Sequence, residues 1–355
     1  TAYEIGVRLV GSEMCIRDSL NTEGIQMHVG TQLKARSEND YRVFAQLGVN
    51  NICGFPNEHH SEWTATTLTQ YREYVESFGL NLNMVQLPLA SNKIDSAELP
   101  AIMLGTDPQR DRDIEHCCNI IRMCAAAGIP AVKYNLTILG VVSSDPVLTR
   151  GGAKTRSFNY AQALKELPDT TIAGLVDADT MWERINYFIQ RVVPVADEYK
   201  IRMALHPHDP GVPSPQGLQG VDRVLGSVEG MKKFISLHPS DYHGFNFCQG
   251  TVSEMLENPG KEIYEVIRYF GERKKIFNVH FRNITGGFGD FEETFIDNGD
   301  VDMHLAAKAY HEVNYPYMIM PDHVPHLSGE NEKMVGFAYT YGYIKSLIKS
   351  VQYWS

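Results

Sequence analysis

The sequence predicts an α/β protein folded as a (β/α)8 barrel. Two observations carry the prediction. From residue 25 onward, short β-branched or apolar runs alternate with amphipathic stretches, eight of each. Strands separated by helical crossovers pair in parallel, and eight such units close into a barrel. The second observation is a missing motif. The first run leads into "VGTQLKARSEND", without the glycine-rich phosphate loop that an open, doubly wound sheet usually carries there.

The predicted strands are 25–29, 51–54, 82–87, 130–135, 201–206, 244–248, 276–281 and 317–321. Each is a short apolar run of strand length. The predicted helices are 40–47, 65–78, 111–127, 181–199, 228–236, 252–270, 302–313 and 334–348, each amphipathic. The longest irregular stretch, 141–179, follows the fourth strand. Its "TRGGAKTRSFN" brings glycines and two arginines, Arg150 and Arg156. It reads either as a lid carrying anion-binding residues or as a solvated insertion with surface arginines.

Residues 3–19, "YEIGVRLVGSEMCIRDS", show no clean helical or strand period and resemble translated sequencing-adapter sequence. The expectation is a non-native extension over residues 1–20, ahead of one barrel domain over 21–355. A formal charge of -11 without long Lys/Arg runs argues against a nucleic-acid partner. No apolar run approaches the roughly 18 residues of a membrane helix. The N-terminus lacks the apolar core of a secretion signal, so a cytoplasmic location is expected. The six cysteines show no small-scaffold spacing and read as reduced thiols. The sequence leaves the number of copies open, including a homo-oligomer.

The polar residues fall where a barrel carries chemistry, at the C-terminal ends of its strands. The last four strands end in "MALHPHD", "FNFCQG", "FNVHFRN" and "YMIMPDH". Each places a metal-competent side chain at an apolar strand's exit: His206, Cys248, His280 and Asp322. Consecutive barrel strands are neighbours, so these four ends can converge. His208 and Asp209, in the loop after His206, are left to substrate or to support of the ligands.

The blocks "HPHDPG", "CQG", "HFRNI", "NGDVDM" and "PDHVPH", in this order, resemble the mannonate dehydratase family. The resemblance runs from about residue 25 to 348 and is strongest after residue 200. It implies a xylose-isomerase-like (β/α)8 barrel. It also implies metal-dependent dehydration of D-mannonate to 2-keto-3-deoxygluconate, in hexuronate catabolism and commonly with manganese. The family's ligands fall on His206, Cys248, His280 and Asp322, the four strand-exit residues, and its acid/base residue falls on His323. Three positions depart from the family pattern. His208 stands where the family usually has Asp, Phe295 where it has a second His, and its tyrosine after "PDH" has no clear counterpart. These departures bear on the sugar more than on the metal.

Dehydration of a sugar acid takes a proton from the carbon beside the carboxylate, and a cation stabilises the charge that develops. A histidine can move that proton, and Asp322–His323 sets ligand and base side by side. Arg282, two residues past His280, either pairs with the substrate carboxylate or forms a salt bridge on the rim. One thiolate, two imidazoles and one carboxylate also suit iron(II) or zinc. Two alternatives remain: a sugar isomerase or epimerase on the same metal-binding barrel, and a non-catalytic barrel with a structural metal.

Overall fold

The computed structural model describes residues 27–353; the expected extension over residues 1–20 lies outside them. Eight parallel strands form a closed barrel in sequence order. They are β1 (His28–Thr31), β2 (Asn51–Cys53), β3 (Asn81–Gln86), β4 (Ala131–Tyr134), β5 (Arg202–Leu205), β6 (His243–Cys248), β7 (Ile276–His280) and β8 (Met318–Met320). The seam closes where His28 and Val29 pair with Met318 and Ile319. Gly30 lies at that seam because a Cβ there would stand 2.9 Å from Met318 Sδ.

The principal helices around the barrel are α1 (Glu38–Gln46), α2 (Ala65–Glu76), α3 (Gln109–Ala126), α4 (Ala178–Tyr199), α5 (Val228–Leu237), α6 (Pro259–Glu272), α7 (Met303–Glu312) and α8 (Glu332–Tyr353). The period-2 alternation of strand side chains sorts residues between two cores. Cys53, Met84, Ala131, Ala204, Phe277, Met318 and Met320 pack together in a small interior cluster. Phe245 and Phe247 of β6 instead pack on Phe270 of α6, at ring distances of 5.3 and 6.0 Å. The intervening Asn246 and the strand-end Cys248 turn inward, and Cys248 reaches the site described below.

Two expectations are corrected. The stretch 252–270 is not one helix: a short helix, Gln249–Ser253, ends before α6 starts at Pro259. Proline fits the first turn of a helix, where its missing N–H is not needed, and disfavours helical backbone in the residue before it. The stretch 141–179 carries regular structure, including a strand, Ser157–Asn159, and a helix, Tyr160–Glu166. That strand pairs antiparallel with Asp290–Glu293, which pairs in turn with Ile284–Gly287. The insertion is thereby stitched to the segment after β7, and neither strand has enough apolar alternation to announce itself.

Candidate metal centre

Cys248 and His280 are the last residues of β6 and β7, and the two pair directly in register. His280 also pairs with Met320 of β8, two residues before Asp322, and His206 directly follows β5. Parallel register therefore carries all four to one end of the barrel. One ligand atom from each lies within 4.8 Å of the other three. His280 Nδ1 lies 3.5 Å from Asp322 Oδ1, and Cys248 Sγ lies 3.6 Å from Asp322 Oδ2. Two metal–ligand bonds of about 2.0–2.3 Å at a tetrahedral angle span roughly 3.3–3.8 Å, so the spacing fits a single ion.

The imidazoles are prepared to present lone pairs. His206 Nδ1 donates to the Pro207 carbonyl at 2.7 Å, which leaves Nε2 as the ligating atom. His280 Nε2 lies 3.2 Å from the Asn246 amide, and Asn246 lies 2.8 Å from Asn278. His280 Nδ1 is buried without a hydrogen-bond partner and faces Asp322. Ligation through Nδ1 requires the proton on Nε2, so the Asn246 amide oxygen must face the ring. A side-chain amide can turn to do this. Burial opposes ionisation of Cys248, yet Arg282 and His280 together outweigh it and the net shift is downward. Burial likewise opposes the Asp322 charge, but His323 and His280 hold its carboxyl well below the usual range.

Behind the ligands lies a buried ionic cluster. Arg282 NH1 donates to Glu254 at 2.8 Å and to Glu293, and NH2 to Asp209 at 3.1 Å. Arg156 donates to Asp209 at 2.5 Å and to Glu293 at 2.8 Å. Gly250 makes room for this cluster, since a Cβ there would stand 2.5 Å from Arg282 Nε. Arg282 is thus a buried partner of protein carboxylates and not a rim salt bridge. Arg150 sits further out and grips Asp297 at 2.7 and 3.1 Å, over the ring of Phe295. Asp209 supports both arginines. His208 faces backbone: Nε2 donates to Leu136 O at 2.8 Å and Nδ1 accepts from Leu225 N at 3.3 Å. Both ring nitrogens are engaged, and burial pushes its pKa down to about 3.

His323 Nδ1 meets Glu293 at 2.7 Å, and its ring is partly exposed beside Asp322. Burial opposes its charge, but Asp322 and Glu293 outweigh this and raise its pKa to about 9. Phe295 packs edge-on against Tyr339 at 6.3 Å.

Sequence reasoning missed Glu254 and Glu293, and also Asn246, Asn278, Gln32 and Lys133. Gln32, just past β1, donates to Asp322 Oδ1 at 2.8 Å and accepts from Lys133 of β4. The asparagines had a signal: each precedes a ligand by two positions, on the same strand face, in "FNFC" and "FNVH". Two further motif residues are structural. Asn283 of "HFRNI" ties down the "NGDVDM" loop through Ile296 O and Val301 O, at 3.1 and 2.9 Å. Asp302 of that loop caps α7 through His304 N and Leu305 N.

The sequence model of the family described as D-mannonate dehydratase (UxuA) matches residues 162–354, just over half of the chain. A mannonate dehydratase of Endomicrobium trichonymphae is 29% identical over 322 residues, covering 79% of this chain and 84% of the relative. The crystal structure of a mannonate dehydratase from Streptococcus suis serotype 2 superposes with a TM-score of 0.77 at 23% identity. It covers 92% of this chain and 95% of that one. A xylose isomerase domain protein from Planctomyces limnophilus shares the fold at a TM-score of 0.57 and 14% identity, covering 92% and 98%.

Proposed function

The chain belongs to the D-mannonate dehydratase family of hydro-lyases, and from that premise we propose that it converts D-mannonate to 2-keto-3-deoxygluconate and water. The site proposed is a divalent ion held by His206, Cys248, His280 and Asp322. The observation that supports it is the meeting of their four ligand atoms within 4.8 Å. Manganese is the ion proposed, and the same donors would also accept iron(II) or zinc.

His206, Cys248, His280 and Asp322 would hold the ion, which would supply positive charge to offset the charge that develops as the C–H bond beside the carboxylate breaks. His323 is the proposed acid/base. Glu293 engages its Nδ1, so Nε2 is the atom left to exchange a proton. With the charge of Asp322 neutralised, less of the ring's raised basicity remains, and it can start neutral. A single imidazole serves both half-steps: it accepts the C2 proton and passes it to the C3 hydroxyl, which leaves as water. The enol left behind becomes the 2-keto acid. The protein is further proposed to act in the cytoplasm on a free sugar acid, without nucleic acid or membrane as partner.

The test is a screen of hexonic and pentonic acids with metal-loaded protein, assayed for 2-keto product. Product from D-mannonate is expected. Silence on every sugar acid, together with ketose–aldose interconversion, would replace this reading with an isomerase or epimerase.

A further inference from the structure

We infer that Lys133 is the cation that receives the substrate's carboxylate, an assignment that rests on the dehydratase reading. The three arginines that the sequence offers for this role are all committed. Arg282 and Arg156 are held by Asp209, Glu254 and Glu293, and Arg150 by Asp297. Lys133 differs from them. It stands two residues after Ala131, on the same inward face of β4, and Ala131 belongs to the barrel's interior cluster. Its ammonium donates to Gln32 Oε1, and Gln32 Nε2 donates to Asp322 Oδ1 at 2.8 Å. Lys133 therefore lies one amide group away from a proposed metal ligand. It is partly exposed, and it forms no ion pair with a carboxylate among the described residues. An ammonium has three donors, and Gln32 takes one of them.

Charge balance points to the same residue. The Cys248 thiolate and the Asp322 carboxylate together match a divalent ion. In the ionic cluster, Arg156 and Arg282 face Asp209, Glu254 and Glu293, and the Asp209 and Glu293 carboxyls are held low; a third arginine, Arg223, is buried against the Gly140 and Asp209 carbonyls. Burial pushes the Glu254 carboxyl well above the usual range. The substrate brings one further negative charge to a partly desolvated mouth, where an unpaired charge is costly. Lys133 is the cation placed to offset it. A carboxylate with one oxygen toward the ligand cluster could accept from Nζ with the other, and Gln32 holds the lysine in that direction.

Three variants separate charge from structure: Lys133→Met, Lys133→Gln and Lys133→Arg. Equilibrium binding of D-mannonate and of D-mannitol, the uncharged hexitol, is measured on metal-loaded protein, together with metal affinity and steady-state turnover. The Met and Gln variants are expected to lose roughly 10- to 100-fold in mannonate affinity, the worth of a charge-assisted hydrogen bond. Their mannitol binding and metal affinity should match the parent. The Gln variant can still donate to Gln32, so its loss isolates the charge, and the Arg variant should recover part of the affinity. A Gln variant that binds mannonate as tightly as an active parent overturns the assignment alone. So does a loss of metal in proportion to the loss of mannonate. A parent that neither prefers mannonate over mannitol nor converts it overturns the dehydratase reading, and this assignment with it.

Discussion

The two halves of the barrel build the mouth differently. Strands β5–β8 bring the four proposed ligands, each at a strand exit inside a short block of sequence. Strands β1–β4 bring none of the four; their inward Cys53, Met84 and Ala131 join the interior cluster, as do Ala204, Phe277, Met318 and Met320 of the other half. Among the described residues, the side-chain hydrogen bonds that reach a ligand from the β1–β4 half run through one chain, from Lys133 through Gln32 to Asp322. Gln32 and Asp322 are 290 positions apart in sequence, and only closure of β1 on β8 makes them neighbours. Local motifs thus write the half that would hold the ion. The half proposed to orient the substrate is assembled by topology.

The comparison can be broken by substitution. The largest effect is expected in the ligand half: His206→Ala or His280→Ala should nearly abolish binding of a divalent ion, read by equilibrium dialysis. Cys248→Ser should weaken it less. Next comes His323→Gln, expected to keep the ion and lose roughly 10²- to 10⁴-fold in kcat, the usual contribution of general acid/base catalysis. Loss of ion by this variant would make His323 a ligand. Asn246→Leu, which removes the partner of His280 Nε2, should weaken metal binding by about 10-fold or more, while Asn246→Asp keeps an acceptor and should not. Equal losses in both would show that the amide merely fills space.

A smaller effect concerns acid stability. His243, at the N-terminal end of β6, is buried with Nε2 donating to Phe234 O at 3.1 Å, and burial lowers its pKa to about 4. In the unfolded chain it titrates near 6.5. As pH falls through that value, the unfolded chain takes up a proton that the native site refuses, so stability declines from about pH 6.5 down to 4. The total is on the order of 3 kcal/mol. Urea unfolding of the metal-free protein should show a shallower decline in His243→Phe, and parallel curves would contradict this. Least is expected of Arg150→Ala. This exposed bridge to Asp297 is worth about 1 kcal/mol or less, without loss of turnover.

The barrel was legible because it repeats one local signal. Each apolar run from 51–54 to 317–321 became a strand, and strand-exit reasoning reached all four ligand candidates. What escaped depends on pairing. Glu293 lies on a short strand whose partners are Ile284–Gly287 and Ser157–Asn159, and neither has a distinctive period. The arginines were visible, but their partners were not. Arg282 reads as a free cation until Asp209, Glu254 and Glu293 are brought around it by three separate segments. Lys133 was hidden for the opposite reason: a lone charge in "AVKYN" looks incidental until Gln32 shows which way it points.

X-ray absorption at the metal edge of manganese-loaded protein tests the central claim most directly. A shell with one sulfur and two imidazole nitrogens is predicted, with the sulfur lost in Cys248→Ser. A shell of oxygen and nitrogen alone in the parent, unchanged by that substitution, would contradict the four-residue site.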